Sequence, residues 1–149
     1  MEIGEERLSQ KLEEELIALS RDWEREESCR GYRENAREDL EGRRFFIARE
    51  KGAVIGYLFG ALLREEKGNS VLDRDAPYFE LEELYVVPAR RSQGLGRKLF
   101  ACAEEALRGE AGQIVLSTAT KDWRRILHFY IEELGMDFWS ARLFKRISG

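Results

Sequence analysis

Glu80–Leu107, ELEELYVVPARRSQGLGRKLFACAEEAL, is the stretch from which the fold is read. An apolar run ends at Pro88. A basic turn follows with Arg90, Arg91, Gly94 and Gly96, and an alanine- and leucine-rich segment with helical spacing comes next. The order is therefore strand, glycine turn, helix N-terminus. The first turn of a helix carries backbone N–H groups without intrahelical partners, and the helix dipole adds partial positive charge there. Glycines let a ligand come close to the backbone, so such a turn can cradle a phosphate or pyrophosphate. Arg90, Arg91, Arg97 and Lys98 gather positive charge around it, in a chain whose net charge is −4. Two familiar phosphate motifs do not fit. Gly94 and Gly96 are too close together for a P-loop, and Leu99 stands where the dinucleotide fingerprint needs its third glycine.

Composition narrows the class. The 149 residues suit one domain, spanning 1–149, with a sizeable core. At 43% hydrophobic and 36% charged residues, the sequence is that of a folded, water-soluble chain. No apolar run is long enough to span a bilayer, and the acidic N-terminus lacks a signal-peptide pattern. Cys29 and Cys102 have no metal-ligand spacing and His128 is the single histidine, so no metal site is expected. A cytoplasmic location follows from the same features. The acidic balance argues against nucleic acid as a partner.

The central stretch resembles motif A of the GNAT superfamily, the acetyl-CoA-dependent N-acetyltransferases. That motif runs Val-x-Pro-x-x-Arg-Gly-x-Gly-x-Gly/Ala over a strand, a turn and a helix. It is matched by Val86, Pro88, Arg91, Gly94 and Gly96, with Ser92 where glycine is usual. The resemblance implies an α/β fold. Its central sheet would be mixed and mostly antiparallel, with helices on both faces and a splayed, bulged central strand.

The remaining residues agree with that order of elements. Leu8, Leu12, Leu16, Leu19 and Trp23 mark an amphipathic helix over Ser9–Glu27, and Ile3 could belong to a short strand before it. Tyr32, Ala36 and Leu40 suggest a second short helix. In the GNAT pattern such a helix pair covers the acceptor site. Glu27, Tyr32 and Glu34 would then either touch substrate or serve only packing and solvation. Arg43–Arg49 and Ala53–Leu63 read as a β-hairpin around Lys51-Gly52, with Gly56 and Gly60 marking close helix packing. Residues 64–77 read as a mobile loop, open to a place over the acceptor site. In Tyr78–Val87 the apolar alternation of Phe79 and Leu81 slips phase before Leu84 and Val86, as a β-bulge requires. Leu95, Leu99, Cys102, Ala103, Ala106 and Leu107 line a third helix, which makes Cys102 a core residue. Gln113–Thr118 reads as a strand. Asp122–Leu134 reads as a helix burying Trp123, Ile126, Leu127, Tyr130 and Leu134, and Phe138–Ile147 as a last strand. The final hairpin usual in GNAT domains has little room. Either the last strands are merged, or a second copy of the chain completes the sheet edge as a homodimer.

The resemblance also implies a chemistry: direct transfer of an acetyl group to a primary amine in a ternary complex, with acetyl-CoA as cosubstrate. The turn Arg91, Ser92, Gln93, Gly94, Leu95, Gly96 and Arg97 would hold the pyrophosphate. Backbone at Leu84, Tyr85 and Val86 would pair with the pantetheine arm, and the Val86 N–H would face the thioester oxygen. LEELYV is similar to LEDFFV of spermidine/spermine N-acetyltransferases, which makes Glu82 the base and Glu83 an anion for the acceptor amine. The alternative is that both acids pair with nearby arginines. Tyr130 is the candidate acid, although Trp123 replaces the asparagine usual seven residues before it and Gly135 lies five residues on rather than four. Its alternative role is core packing. The acceptor would be a small polyamine-like amine or else a protein N-terminus or lysine. A non-catalytic acyl-CoA-binding domain and a nucleotide-binding domain using the same turn are the rival readings.

Overall fold

A computed structural model describes residues 1–147; the last two residues of the expected 1–149 domain lie outside the described residues. Five strands form one sheet in the order β1-β2-β3-β4-β5. They are β1 Glu2–Glu6, β2 Arg44–Glu50, β3 Ala53–Arg64, β4 Pro77–Val86 and β5 Gln113–Val115. Pairing is antiparallel from β1 to β4 and parallel between β4 and β5. Ile3 thus lies in a true edge strand. β3, whose run from Val54 to Gly60 is buried, takes the central place that its apolar faces require.

Helices cover both faces. α1 (Gln10–Glu26) starts where the Ser9 hydroxyl accepts the Leu12 N–H at 3.1 Å, and ends at Glu27, which adopts a left-handed conformation (φ 53°). Its Leu12 and Leu16, with Leu40, pack on Phe45, Ile47, Tyr57, Phe59 and Tyr85. α3 (Leu95–Leu107) buries Leu95, Leu99, Phe100, Ala103 and Leu107 on the other face, against Phe46, Ala48, Ile55, Leu58, Phe79 and Leu81, and Cys102 packs at the margin of this cluster. Gly56 lets α3 approach: a Cβ there would lie 3.1 Å from Leu99 Cδ1 and 3.3 Å from Leu95 Cδ2. Gly60 has a different cause from the expected helix packing. Its close neighbour is the backbone of β4, with Glu80 O 2.1 Å from an ideal Cβ.

The phase slip in β4 is a bulge. Phe59 pairs with Glu83 and Gly60 with Leu81, which leaves Glu82 as the inserted residue. Phe79 and Leu81 therefore face α3, while Glu83 and Tyr85 face α1.

Several expectations are corrected. The second helix, α2, is only Arg37–Leu40. Residues 28–36 stay irregular because Gly31 is left-handed (φ 73°) and Asn35 is tied to Ser20 and Glu83 rather than to a helical ladder. The fourth helix is regular only over Trp123–Leu127 (α4), then widens into a π-helix over His128–Glu133. Trp123 is not buried: it is 51% exposed, with the Arg124 guanidinium 4.4 Å above its ring. The last strand is absent. Residues 137–147 have no ladder, and their large apolar side chains on both sides, Phe138, Trp139, Leu143, Phe144 and Ile147, are exposed, so no neighbouring strand or face among the described residues covers the segment. The 64–77 loop is pinned rather than loose. Leu72 is buried, and the Asn69 side chain accepts the N–H groups of Val71 and Leu72. It sits at the Pro77 end of β4, about 30 Å of strand from the glycine turn at a rise of about 3.3 Å per residue.

Candidate functional site

β4 pairs with β5 only over Tyr78–Glu80. Beyond β5 the chain leaves β4 and joins the α1–α2 link: Arg30 N–H donates to Ala119 O (2.9 Å), Lys121 N–H donates to Ser28 O (2.8 Å), and Cys29 bridges Thr120. A wedge opens between β4 from Leu81 to Val86 and the departing chain. Successive strand residues turn their N–H and C=O groups to opposite edges. Val87 N–H donates to Ile55 O of β3 at 3.0 Å, so Leu84 and the Val86 N–H face the wedge and Tyr85 does not; Val86 O, on the same side, is taken by Arg91.

The wedge runs into the glycine turn. Pro88–Arg90 makes a short 3-10 turn, Ser92 and Gly94 are both left-handed (φ 63° and 80°), and Gly94 caps α3. The left-handed Ser92 explains why glycine is usual at its place. The first ladder bond of α3 is Lys98 N–H to Gly94 O, which leaves the N–H groups of Leu95, Gly96 and Arg97 without intrahelical acceptors. Leu95 can contribute only this backbone group, since its side chain is in the core. Gln93 is exposed and its amide donates to Ala89 O at 3.4 Å. Arg97 and Lys98 are exposed, and Arg90 is paired with Glu50. This cradle of free N–H groups, left-handed corners and unshielded cations fits a pyrophosphate.

Arg91 takes an unexpected course. Its Nε donates to Val86 O at 2.8 Å, and its terminal nitrogens hold Glu26 of α1 at 2.7 and 3.0 Å. The guanidinium lies 5.3 Å from the Tyr85 ring centre, and Tyr85 also donates to Glu26, at 2.7 Å. Burial alone would raise the Glu26 pKa, but the bonds from Arg91 and Tyr85 outweigh it and hold the carboxyl below its ordinary value. Glu26 is a residue that sequence reasoning missed; only its acid type at the end of α1 could have signalled it.

The adjacent acids have different surroundings. Glu82, at the bulge, forms a two-pronged pair with Arg43 at 2.7 and 3.1 Å. Glu83 is largely enclosed. Burial raises its pKa, and hydrogen bonds from Tyr57, Asn35 and Tyr32 partly oppose the shift. Trp23 stacks on Tyr32 (4.3 Å between centroids) and on Tyr85 (5.2 Å), closing the wall between α1 and β4. Glu80 also has a raised pKa, from burial first and then from the charge of Glu82. Of the α1–α2 residues named from sequence, Tyr32 reaches this cluster. Glu34 pairs with Arg21 and Glu27 ends α1.

Tyr130 lies in the π-helix. Leu134 N–H donates to Phe129 O, a bond that spans one residue more than an α-helical turn, and this absorbs the extra residue before Gly135. The phenol lies beside Cys29, and desolvation followed by the Cys29 charge pushes its pKa up to about 12. Tyr130 is only partly buried and its hydroxyl is open to solvent; Cys29 belongs to the chain bordering the wedge. Phe129 rests on α3, 3.3 Å from the Cβ position of Gly96. His128 is exposed. Among the described residues, no cluster of three or more His, Cys, Asp or Glu could hold a metal ion, and no helix is long and apolar enough to cross a membrane.

Residues 9–136 match the sequence model of the acetyltransferase (GNAT) family. No curated protein matches at a significant level. Solved structures with the same fold include an aminoglycoside N-acetyltransferase, AAC(6')-Iy, in complex with the bisubstrate analogue CoA-S-monomethyl-acetylneamine; it is 18% identical, with 100% of each chain covered and a TM-score of 0.68. An aminoglycoside acetyltransferase from an uncultured soil metagenomic sample is 19% identical over 99% of this chain and 100% of its own, with a TM-score of 0.71. A ribosomal-protein-alanine N-acetyltransferase from Brucella melitensis biovar Abortus 2308 is 16% identical over 97% of this chain and 99% of its own, with a TM-score of 0.70.

Proposed function

The chain belongs to the acetyltransferase (GNAT) family, an acetyl-CoA-dependent N-acetyltransferase, and on that footing we propose that it acetylates a primary amine by direct transfer within the wedge. The observation that carries this reading is the continuity of the open β4 edge with the left-handed turn at the N-terminus of α3. Acetyl-CoA supplies the thioester carbonyl. The N–H groups of residues 95–97 and the cations Arg97 and Lys98 bind its pyrophosphate. Leu84 offers the backbone groups against which an extended arm pairs, and the Val86 N–H faces the carbonyl oxygen as negative charge grows on it.

We propose Glu83 for the proton of the amine, in place of Glu82, which the polyamine resemblance put in that role. A base works best when its pKa approaches the working pH. Burial supports this for Glu83, whereas Glu82 is engaged by Arg43. Tyr130 gives its phenolic proton to the departing thiolate; its place beside Cys29, at the border of the wedge, supports that role. Among the described residues the wedge presents no activated nucleophile, and direct transfer is the reading we take over a covalent acyl-enzyme.

For the acceptor, the group of Glu80, Glu82 and Glu83 favours a small amine with more than one positive charge. The aminoglycoside enzymes of the same fold are consistent with it. A protein N-terminus is the second acceptor class, kept open by the ribosomal-protein enzyme of equal similarity. A homodimer would cover the apolar residues of 137–147; a monomeric mass by light scattering at micromolar concentration would refute it.

Calorimetric titration with acetyl-CoA tests the reading. Micromolar binding is expected for the wild type. It should be lost in Gly94→Glu, which puts a carboxylate on a left-handed residue facing the phosphates. Absence of binding by the wild type would overturn the assignment. An amine panel read by thiol release then separates small polycations from peptides.

A further inference from the structure

Three donors converge on one atom in the wall between α1 and β4. Tyr32 Oη (3.0 Å), Asn35 Nδ2 (3.1 Å) and Tyr57 Oη (2.9 Å) all donate to Oε1 of Glu83. None of the described residues donates to Oε2. A carboxylate has about four lone-pair sites shared between two oxygens, so a carboxylate held only for structure would be expected to spread its donors over both. Here one oxygen is saturated and the other is left over.

The clamp is itself fixed. Tyr57 comes from β3 and has no exposed surface. Tyr32 and Asn35 come from the irregular α1–α2 link. Asn35 N–H donates to the hydroxyl of Ser20 at 2.9 Å, and Ser20, which is fully buried, donates on to Ile17 O. Tyr32 is stacked on Trp23. No cation is paired with Glu83 among the described residues. The groups around it are Ser20 and Trp23 of α1, Tyr32 and Asn35 of the link, Tyr57 of β3, and Glu82 and Tyr85 of β4; the charge of Glu82 is answered by Arg43, and Glu34 by Arg21. Uncharged donors orient the carboxylate without tying up its charge in an ion pair; they lower its basicity, and burial opposes that effect, so Oε2 is left free to take a proton.

The geometry points to Tyr32, Asn35 and Tyr57 as positioning residues that clamp Oε1 of Glu83 and present Oε2 to the acceptor amine. The amine proton passes to Oε2 as the nitrogen–carbon bond forms. The inference rests on the assignment of Glu83 as the base. It also gives the short α2 a purpose: a regular helix from Tyr32 would withdraw both link donors from the clamp.

The test uses Tyr57→Phe, with Tyr32→Phe as the less buried second variant and thermal melting to confirm folding. The carboxyl carbon of Glu83 is titrated by NMR in 13C-glutamate-labelled protein, assigned by the signal missing in Glu83→Gln; this needs no amine. Removing a donor that favours the charged form moves the titration midpoint upward. The acidic limb of kcat/KM, measured with neamine or spermidine, whichever turns over faster, should move with it. The loss is roughly tenfold below the limb, about what one hydrogen bond to a charged group supplies, while the alkaline plateau is retained. A purely structural loss would lower the rate equally at all pH values. A midpoint that stays in place in both variants overturns the clamp. A midpoint that moves while the rate profile stays in place overturns Glu83 as the base, and the clamp's catalytic role with it.

Discussion

Gly60→Ala tests the bulge and the site together. An ideal Cβ at Gly60 would lie 2.1 Å from Glu80 O, 2.7 Å from Phe79 Cζ and 2.9 Å from Glu80 C. Two of these atoms are backbone, so no rotamer change relieves the contact, and the strands must part by about 1 Å. Overpacking of this kind costs about 3 kcal/mol. Against it, alanine restricts the unfolded chain, a gain of about 0.4–1 kcal/mol where the conformation is allowed. The clash wins by about 2 kcal/mol. For a chain of this size the melting temperature should fall by roughly 4–8 °C, at about 2–4 °C per kcal/mol. Gly4→Ala is the control: it meets nothing within 4 Å and should stabilise by about 0.4–1 kcal/mol. Relief would come most easily by flattening the bulge opposite, where Gly60 pairs with Leu81 and Phe59 with Glu83. That would turn Glu83 toward α3, so turnover should fall further than stability. Melting by calorimetry or circular dichroism decides it. A fall of under about 2 °C would refute the close approach of β3 to β4 and the placement of the bulge at Glu82.

Burial holds the Glu83 pKa up, so as pH falls through it the carboxylate protonates and the rate should fall; Glu83→Gln should cost about 100-fold near neutrality and less at alkaline pH, where the amine is already neutral, while Glu82→Gln costs under about 10-fold. Equal losses from both variants at all pH values would remove the distinction between the acids. Tyr130→Phe keeps the ring and its contact with Phe129, so melting should hold while kcat falls by about 10-fold or more; unchanged kcat would leave Tyr130 a packing residue. Glu26→Gln frees Arg91 from a half-exposed ion pair and should tighten acetyl-CoA binding by up to about fivefold, measured by calorimetry; weaker binding would mean that the pair shapes the turn.

Local chemistry was legible in the sequence. The slip between Leu81 and Leu84 located the bulge because a strand's two-residue period cannot change face without an inserted residue. Lys51-Gly52 and the Leu95–Leu107 stripe placed the hairpin and α3 for similar reasons. What the sequence hid depends on distant partners. The acids of LEELYV look alike until Tyr32, Asn35, Tyr57 and Arg43 are folded around them, and those residues lie 26 to 51 positions away. Arg91 reads as a phosphate ligand because nothing nearby announces that Glu26 will reach it. The π-turn shows in sequence only as one residue too many before Gly135. Phe138–Ile147 has the composition of a strand, but a strand also needs a neighbour, and composition does not supply one.

The pair between Arg91 and Glu26 joins the turn to the end of α1, and both edges of the Arg91 guanidinium are already spent, Nε on Val86 O and the terminal nitrogens on Glu26. A ligand that draws Arg91 away must bring its own anion and must leave Glu26 with Tyr85 alone. An uncharged arm would gain nothing from the exchange. Occupancy of the turn and the hold on α1 thus become linked quantities. By reciprocity, whatever an amine lodged under α1 does to the affinity for the anion, the anion does in equal measure to the affinity for the amine.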